Sequence, residues 1–495
     1  MTRTIRNILV VFGLVSLCLL SRLIFFAPYL EDWDGVDFAL ALRHYDLSTY
    51  QPHFPGYPVY IALGHLVCQF VSSEPSALIL TNIIFSSLTI LPLMALTQFI
   101  FSETVAFMAG LLYLTNPFCW LEAGKALADP TGLFFIFTAL YFLTRAACGT
   151  GKYHLFVGGL FLGLSWGVRL DYFPFFVSLV YASYHTKQGH SFRGYSGFFL
   201  GILFWLLPQI SIGGEKEFWI EARAFIMGHF NSWGGSIYSQ PNLPERGKDF
   251  FWGYYANGLG GWWPDTPEYR LLTSAILFGS MIYFSYWIYK GYWSKDKKKK
   301  IVPISLISYC LWVFLGQNLA NPRHVLPAIS LTFILLAGAW QRCRTQFKGK
   351  KLAPLPSFCL VALIGFWALE AIRLNLIHYT QPPPQLQAVQ YVKDCFPEHF
   401  TRIYCQETKR LFDYYAPYYQ VKRVRNFSQL ERDLQGAYPQ MSPVLLVTSR
   451  NGEEVGIGKL NLLQVFQNNR YIYYPGHHWY LYNVRIPLEN KTKDH

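Results

Sequence analysis

Four carboxylates lie within seven residues near the start of the chain, in Glu31-Asp32-Trp33-Asp34-Gly35-Val36-Asp37, directly after an apolar run. Carboxylates this close repel one another, which raises their pKa values and suits metal binding or general-base chemistry. The other interpretation is a solvated acidic patch at a helix N-terminus, where the helix dipole favours negative charge. Residue types alone leave both interpretations open.

A rigid aromatic turn follows, Gln51-Pro52-His53-Phe54-Pro55-Gly56-Tyr57-Pro58. It leads into an apolar run, Val59 to Val71, that is too short to cross a bilayer. A helix of this length lies in the interface or packs at the membrane surface. The acidic stretch, the turn with His53 and this helix together predict a platform at the outer headgroup level, where a lipid-borne substrate would present its head.

A second charged group, Glu122, Lys125 and Asp129, lies in a short turn between two apolar runs. Charged side chains at such places are costly, so each is a functional hypothesis. The alternative is a structural ion pair, because Lys125 and Asp129 are four residues apart and share a face if the turn is helical.

Cationic side chains mark three further positions. Arg169 with Asp171, and Arg323 with His324, lie at the ends of apolar runs. An arginine can bind a phosphate through two donors at once, and the alternative is that it extends to the lipid headgroups. Arg22 lies inside the first apolar run, so we expect it to pair with a buried acid or to face a phosphate rather than stand unpaired in lipid.

The composition places these groups in a membrane protein. The 495-residue chain is 52% hydrophobic and 14% charged, with a mean hydropathy of +0.20, whereas an ordinary soluble chain is about 25% charged. Its apolar residues come in continuous runs, which excludes a cytosolic enzyme and an alternating outer-membrane barrel. The net charge of +13 fits basic cytoplasmic loops, so we expect no nucleic-acid partner.

Eleven apolar runs predict membrane helices. They cover 7–28, 76–100, 103–119, 129–146, 155–169, 172–184, 196–213, 270–289, 301–319, 323–340 and 354–376. With the N-terminus inside, the short outer turns hold three basic residues, Lys125, Arg169 and Arg323. The inner connections hold seventeen: Arg3, Arg6, Arg145, Lys152, Lys187, Arg193, Lys290, Lys295, Lys297, Lys298, Lys299, Lys300, Arg342, Arg344, Lys348, Lys350 and Lys351. This bias predicts a cytoplasmic N-terminus and an extracytoplasmic C-terminus.

Nearly all the polar sequence then lies on the outer side, in 31–75, 214–268 and the segment after 380. The last segment begins with Pro382 to Pro384, a stiff linker. Helical and strand patterns alternate between 385 and 448, which predicts a small α/β domain. The predicted fold class is an all-α polytopic membrane protein, residues 1–378, with an extracytoplasmic α/β domain, residues 385–495.

Cysteine spacing predicts no metal or redox centre. The nine cysteines include no Cys-x-x-Cys pair. Cys395 and Cys405 alone share a polar segment, either as a disulfide or as two free thiols.

Residues 33–42 and 51–58 resemble the first periplasmic loop of bacterial GT-C glycosyltransferases, the group (glycosyltransferase family 39) that includes protein O-mannosyltransferases and the aminoarabinose transferase of lipid A. The resemblance extends over about residues 1–345 and includes Asn321-Pro322-Arg323-His324-Val325-Leu326-Pro327, similar to the family's Arg-Tyr-x-x-Pro segment. It implies an enzyme that moves a sugar from a polyprenyl phosphate to a lipid, glycan or protein acceptor on the outer membrane face.

The resemblance also implies roles for individual residues. The family's catalytic aspartate follows its first helix, and Asp34 matches it best. Asp37 departs from the expected pattern and is a helper or an alternative base, and Asp32 is a third candidate. The family places acidic residues of the second outer turn in the donor site and sometimes on a metal, which implies Glu122 and Asp129. The remaining predicted substrate-binding residues are His53, Lys125, Arg169, Arg323, His324 and Arg22.

The predicted reaction is an inverting displacement in which Asp34 accepts the acceptor's proton and cations stabilise the departing lipid phosphate. No cofactor is expected to be required, and a divalent metal is the open alternative. The expected location is the bacterial inner membrane, in contact with its lipids. The rival interpretations are a transporter or lipid flippase, and a scaffold whose helices anchor the C-terminal domain.

Overall fold

The structure, a computed structural model, describes residues 3–151, 153–186, 191–264, 266–289, 296–424, 426–436, 443–455, 460–473 and 476–484. Four lysines of the predicted inner charge set, Lys152, Lys187, Lys290 and Lys295, lie outside the described residues.

Helices make up the first three quarters of the chain. They are α1 (Arg3–Ile24), α2 (Trp33–Arg43), α3 (Pro58–Cys68), α4 (Glu74–Ile100), α5 (Glu103–Thr115), α6 (Pro117–Ala123), α7 (Asp129–Ala147), α8 (His154–Val168), α9 (Phe176–His185), α10 (Ser191–Gly213), α11 (Glu215–Asn231), α12 (Leu243–Phe251), α13 (Arg270–Tyr289), α14 (Lys297–Gly316), α15 (Leu326–Gln346) and α16 (Leu355–Thr380). Short 3-10 turns cover Leu47–Thr49, Leu170–Phe175 and Pro322–Val325, and a π-helical turn covers Trp252–Gly258.

Each of the eleven predicted apolar runs contains a helix, which makes the protein a multi-pass integral membrane protein. Among the described residues, seven helices are long and apolar enough to cross a membrane. The bent pair α5–α6, with 61° between its halves, would be an eighth. The bend falls at Asn116, whose side chain caps α6 by accepting from the Cys119 N–H. Because α8 is shorter than a full span, the predicted number of eleven spans stays a prediction.

Helices α8 and α10 pack backbone to backbone. Gly159 and Gly163 lie four residues apart on α8, and Gly197 and Gly201 do so on α10. A Cβ at any of the four would collide with a backbone oxygen of the other helix. Small residues at this spacing let two membrane helices approach closely, where no hydrophobic effect drives them together.

The last part of the chain, residues 384–484, is called here the C-terminal α/β region. Its elements are α17 (Pro384–Cys395), β1 (Arg402–Cys405), α18 (Lys409–Tyr415), β2 (Gln420–Arg423), α19 (Phe427–Gly436), β3 (Val444–Thr448), α20 (Gly452–Val455), β4 (Leu460–Gln467), α21 (Arg470–Tyr473) and β5 (His478–Val484). The sequence patterns predict the elements from α17 to β3. They miss β4 and β5, which add an antiparallel edge to the sheet β2-β1-β3-β5-β4. Cys395 is exposed, Cys405 is buried, and both are free thiols.

The sheet has a different apolar core on each face. Along β3, Leu445 and Val447 pack into one cluster and Val444 and Leu446 into the other, as the two-residue period of a strand requires. The first cluster continues through α17 and α18 into residues of α2 and α3. The C-terminal α/β region therefore shares one apolar core with the segment 31–75, which contains α2 and α3.

Candidate active site

The three candidate aspartates lie at the start of helix α2, and each has a different environment. Asp32 is the N-cap of α2, and its Oδ1 accepts from the Gly35 N–H at 2.9 Å. The side chain of Asp32 is 40% exposed, that of Asp34 is 25% exposed, and that of Asp37 is fully buried. A substrate can therefore reach Asp32 and Asp34 but not Asp37.

Asp34 forms an ion pair with Arg323, which comes from the 3-10 turn before α15. Nη2 of Arg323 donates to Oδ2 of Asp34, and Nη1 lies 3.5 Å from Oδ2 of Asp32. Burial acts to raise the pKa of Asp34, but the charges of Arg323 and His53 outweigh it and hold that pKa below its usual range. Burial and the neighbouring Asp34 charge raise the pKa of Asp32. Asp34 is therefore the more acidic of the two carboxyl groups.

Arg323 has unused hydrogen-bonding capacity. Within the described part of the chain, its Nε and Nη1 have no hydrogen-bond partner although both atoms are buried. A guanidinium presents five donors and binds planar anions through two of them. Arg323 can therefore donate hydrogen bonds to a second anion while it stays paired with Asp34.

His53 lies between two of the aspartates. Its Nδ1 is 3.0 Å from Oδ2 of Asp37, its Nε2 is 3.1 Å from the Tyr57 hydroxyl, and the same Nε2 is 4.0 Å from Oδ1 of Asp34. Because a carboxylate accepts, the Nδ1 nitrogen carries a proton. Burial lowers the pKa of His53, but the charges of Asp34 and Asp37 outweigh it and raise that pKa.

Arg169 joins the acidic end of α7 to the turn before α15. Its Nη1 donates to Oδ2 of Asp129 at 2.7 Å, and its Nη2 lies 3.1 Å from Asp171 and donates to Nδ1 of His324 at 2.9 Å. Since an arginine only donates, His324 is neutral at Nδ1. The predicted alternative in which Asp129 pairs with Lys125 is wrong, because α7 begins at Asp129 and the two residues do not share a helix.

Lys125 is the centre of a separate group. Its Nζ donates to Glu122 Oε1 at 2.8 Å and to the Ile472 carbonyl at 2.9 Å, and it lies 3.8 Å from Glu31. Glu31 also pairs with His378 of α16. Burial acts to raise the pKa of Glu31, but His378 and Lys125 outweigh it and lower that pKa.

Arg22 lies apart from these groups. Both of its terminal nitrogens donate to the Leu114 carbonyl at 3.2 Å, and its guanidinium lies 4.8 Å from the Trp120 ring centre. The alternative in which Arg22 pairs with a buried acid is wrong, because the Leu114 carbonyl near the α5–α6 bend accepts its hydrogen bonds instead. Arg22 lines neither of the two cavities described next.

Two cavities meet at Asp34 and Arg323. The larger, about 460 Å³, combines aromatic rings with cationic side chains, and the smaller, about 280 Å³, is mostly polar. Trp33, Asp34, Asn318, Asn321 and Arg323 line both. Of the predicted substrate-binding residues, His53, Arg169 and His324 line the larger cavity, and Glu122 and Lys125 line the smaller. Asp129 binds Arg169 behind the larger cavity and lines neither of the two.

The two candidate metal ligands belong to different groups. Glu122 is bound to Lys125, and Asp129 to Arg169. In the described residues, no three side chains of His, Cys, Asp or Glu are grouped so that they could hold a metal. Asp32 and Asp34 both lie against the guanidinium of Arg323, which occupies the place a metal ion would take between them, so the residues described here do not fit a metal ion.

Gly56 fixes the turn that carries His53. Its φ of 90° lies in the left-handed region, and a Cβ there would collide with the Tyr45 hydroxyl and the Gln209 amide. We expect Gly56→Ala to destabilise the protein by about 1–3 kcal/mol, as overpacking does. Thermal unfolding in detergent measures this. Gly247→Ala is the matched control, because a Cβ at Gly247 in α12 meets open space; equal stability losses in both variants would contradict the expectation.

Sequence reasoning missed the contribution of the C-terminal α/β region. Arg423 lines the larger cavity, and Gln385, Glu407, Tyr471 and Tyr473 line the smaller. None of these residues belongs to a motif, and they reach the cavities only because the C-terminal α/β region packs against the helical part. Trp233 also lines the larger cavity.

The comparisons with known proteins give matches in structure alone. No protein-family model matches the sequence, and no curated protein matches it significantly. ArnT from Cupriavidus metallidurans in the apo state has a TM-score of 0.60 at 12% identity, covering 95% of this chain and 97% of that one. The same protein bound to undecaprenyl phosphate has a TM-score of 0.56 at 11% identity, covering 97% and 98%. The apo oligosaccharyltransferase of Archaeoglobus fulgidus has a TM-score of 0.54 at 13% identity, covering 89% of this chain and 69% of that one.

Both proteins are membrane glycosyltransferases, and the likeness to ArnT extends over nearly the full length of both chains. The chain therefore has the GT-C fold of the polytopic membrane glycosyltransferases.

Proposed function

We propose that this protein is a membrane glycosyltransferase that moves a sugar from a polyprenyl phosphate to a hydroxyl group of an acceptor. One observation carries the proposal: Asp34 and Arg323 stand together in the wall shared by two cavities of different character. A transferase needs one site for each substrate and a proton acceptor between them. The GT-C fold supports the same function.

The larger cavity is suited to the lipid-linked donor. Phe54, Phe225 and Trp233 give it an apolar wall, and Arg169 and Arg323 give it cationic groups. A polyprenyl phosphate has the same two parts, an apolar chain and an anionic head. ArnT from Cupriavidus metallidurans, of similar fold, has been solved with undecaprenyl phosphate.

The smaller cavity is suited to a hydroxyl-bearing acceptor. Its lining includes Asn257, Gln385 and Tyr473, which donate and accept hydrogen bonds, together with Lys125 and Glu122. Such groups bind sugar and other hydroxyl groups. The acceptor class is a lipid headgroup, a glycan or a protein side chain.

The proposed reaction is a single displacement. The acceptor oxygen forms a bond to the anomeric carbon while the bond from that carbon to the phosphate oxygen breaks. The electron pair of the broken bond leaves with the lipid phosphate, and the acceptor's proton passes to a carboxylate oxygen of Asp34. Attack opposite the leaving group inverts the anomeric configuration. Arg323 and Arg169 stabilise the charge on the leaving phosphate.

Arg323 links donor binding to the strength of the base. In the donor-free protein its charge holds the pKa of Asp34 low, which makes Asp34 a weak proton acceptor. A donor phosphate that takes up the donors of Arg323 would withdraw part of this stabilisation. Asp34 would then become more basic when the donor is in place.

Replacing Arg323 with Gln tests this role. Loss of a hydrogen bond to a charged group costs about 1.5–3 kcal/mol, so we expect kcat/KM for the donor to fall by about 10- to 150-fold. Initial rates over a range of donor concentrations measure it. Arg373→Gln is the control, since Arg373 is an arginine of α16 that pairs with Glu370 and lines neither cavity. An R323Q enzyme as efficient as R373Q would refute the role of Arg323.

We further propose a bacterial inner-membrane location with a cytoplasmic N-terminus. The supporting observation is the excess of Lys and Arg in the connections assigned to the inside. The turns assigned to the outside, with Asp34, Lys125, Arg169 and Arg323, converge on one site. The proposed division is a transmembrane part, residues 1–378, and an extracytoplasmic part, residues 385–495, which the Pro382 to Pro384 segment separates.

Reconstitution of the full-length protein tests the proposed function. Proteoliposomes containing it receive a polyprenyl-phosphate-linked sugar and an extract of cell-envelope acceptors. We expect free polyprenyl phosphate to accumulate as the sugar moves to the acceptor. Movement of intact donor across the bilayer without its consumption would instead indicate a flippase, and no effect on the donor would indicate a scaffold.

A further inference from the structure

We propose that Arg410, in the C-terminal α/β region, is a positioning residue that holds Asp37 and, through it, orients His53 beside Asp34. The proposal rests on the proposed function and adds to it a role for the last part of the chain. Arg410 touches neither cavity, so it acts through other residues.

Arg410 projects from α18 into the first outer loop. Its Nε lies 3.0 Å from Oδ1 of Asp37, and its Nη2 donates to the carbonyls of Thr49 at 2.8 Å and Tyr50 at 3.0 Å. Its guanidinium carbon also lies 5.3 Å from the Trp33 ring centre. One side chain thus contacts both α2 and the start of the turn that carries His53.

Asp37 depends on these contacts because its side chain is fully buried. The charged groups that face it are His53 from the turn, Arg410 from α18 and Asp34 from its own helix. Burial raises the pKa of Asp37, while His53 and Arg410 act against it. A buried carboxylate without a cation either takes up a proton or destabilises its surroundings.

His53 depends in turn on Asp37. The 3.0 Å contact from Nδ1 to Oδ2 of Asp37 fixes which nitrogen carries the proton and how the ring is oriented. With the ring held in this way, Nε2 faces the Tyr57 hydroxyl and Asp34 at the wall of the larger cavity. A carboxylate that orients a functional histidine in this way is a common device of enzyme sites.

A second arginine of the C-terminal α/β region, Arg423, also contacts the start of α2. The guanidinium carbon of Arg423, on β2, lies 4.4 Å from the Trp33 ring centre. Trp33 precedes Asp34 directly, so two cations of the C-terminal α/β region contact the indole next to the proposed base. The region therefore contacts α2 on both sides of Asp34, at Trp33 and at Asp37.

The test compares Arg410→Gln, Arg410→Lys and the control Arg432→Gln in the full-length protein, with Arg432 exposed on α19. We expect R410Q to lower transfer by about 10- to 100-fold, as removal of a supporting partner typically does, with the loss mainly in kcat. Removing the Arg410 charge raises the pKa of Asp37 further, so the acid limb of the pH profile should move to higher pH. R410K should keep the limb in place because it keeps the charge, and R432Q should match the wild type.

A purely structural role would lower the amount of folded enzyme without moving the acid limb, and that result would overturn the proposal. The double variant R410Q/D37N gives a second readout: R410Q should cost less in the D37N background than in the wild type, because its contact with the Asp37 carboxylate is then already lost. An equal or larger cost of R410Q in the D37N background would overturn the proposal too. If the wild type transfers sugar, D34N does not, and R410Q behaves as wild type, the inference fails while the proposed function stands. A wild type without transfer would overturn both.

Discussion

Replacing Asp34 with Asn should lower sugar transfer by roughly 10²- to 10⁴-fold, the usual contribution of a general base. The amide keeps the size of the side chain but cannot accept the acceptor's proton. It also loses the ion pair with Arg323, whose remaining donors stay available to the donor phosphate. Initial rates of transfer measure the loss, and size-exclusion elution of the detergent-solubilised protein checks that the variant is folded.

Asp32→Asn is the matched control two residues away. Asn is as good an N-cap as Asp, so α2 keeps its cap, and Asp32 is the more exposed of the two side chains. We expect D32N to lose far less transfer than D34N, because Asp32 lines the smaller cavity only and is not the proposed proton acceptor. Near-normal transfer by D34N, or a loss confined to D32N, would show that Asp34 is not the base.

Replacing Arg169 with Leu should destabilise the protein more than the Gly56→Ala substitution does. Arg169 and Asp129 are both buried and form a 2.7 Å pair, and removing the cation leaves the Asp129 charge unpaired. Breaking a buried ion pair typically costs about 3–5 kcal/mol. The free energy of unfolding, measured by denaturant titration in mixed micelles, gives the size of the effect.

The double variant R169L/D129L distinguishes the cost of leaving Asp129 unpaired from the cost of changing the packing of the two side chains. Replacing both partners by apolar residues removes the uncompensated charge, so the double variant should be more stable than R169L alone. An R169L protein as stable as the wild type, or a double variant less stable than R169L, would mean that the pair does not carry the stability assigned to it.

The sequence predicts the membrane part well because continuous apolar runs carry their own signal. Each of the eleven runs contains a helix, and the short run after Pro58 forms α3. The alternation from Gln385 to Thr448 likewise predicts α17 to β3. Strand β4 is missed because its exposed positions carry leucine and valine next to polar residues, so it lacks the two-residue pattern.

The sequence predicts which residues belong to the site but not which of them bind each other. Sequence reasoning names Asp34 and Arg323, but they are 289 residues apart, and no local pattern shows that they bind each other. It offers a Lys125–Asp129 pair as one alternative, on the condition that the turn is helical. The turn is not helical, and the two residues bind different partners. Spacing predicts contacts only within one helix.

Sequence reasoning also fails to single out Arg410. In the sequence it is one of two neighbouring basic residues, Lys409 and Arg410, in a polar segment. Its significance comes from the buried Asp37 that it meets, and burial is not visible before the fold is known.

The position of the donor phosphate tests the central claim most directly. A structure of the full-length protein with a polyprenyl phosphate bound would show it. The account predicts the phosphate in the larger cavity, within hydrogen-bond distance of Arg323, with the carboxylate of Asp34 between it and the smaller cavity. A phosphate bound away from Arg323, or in the smaller cavity, would contradict the account.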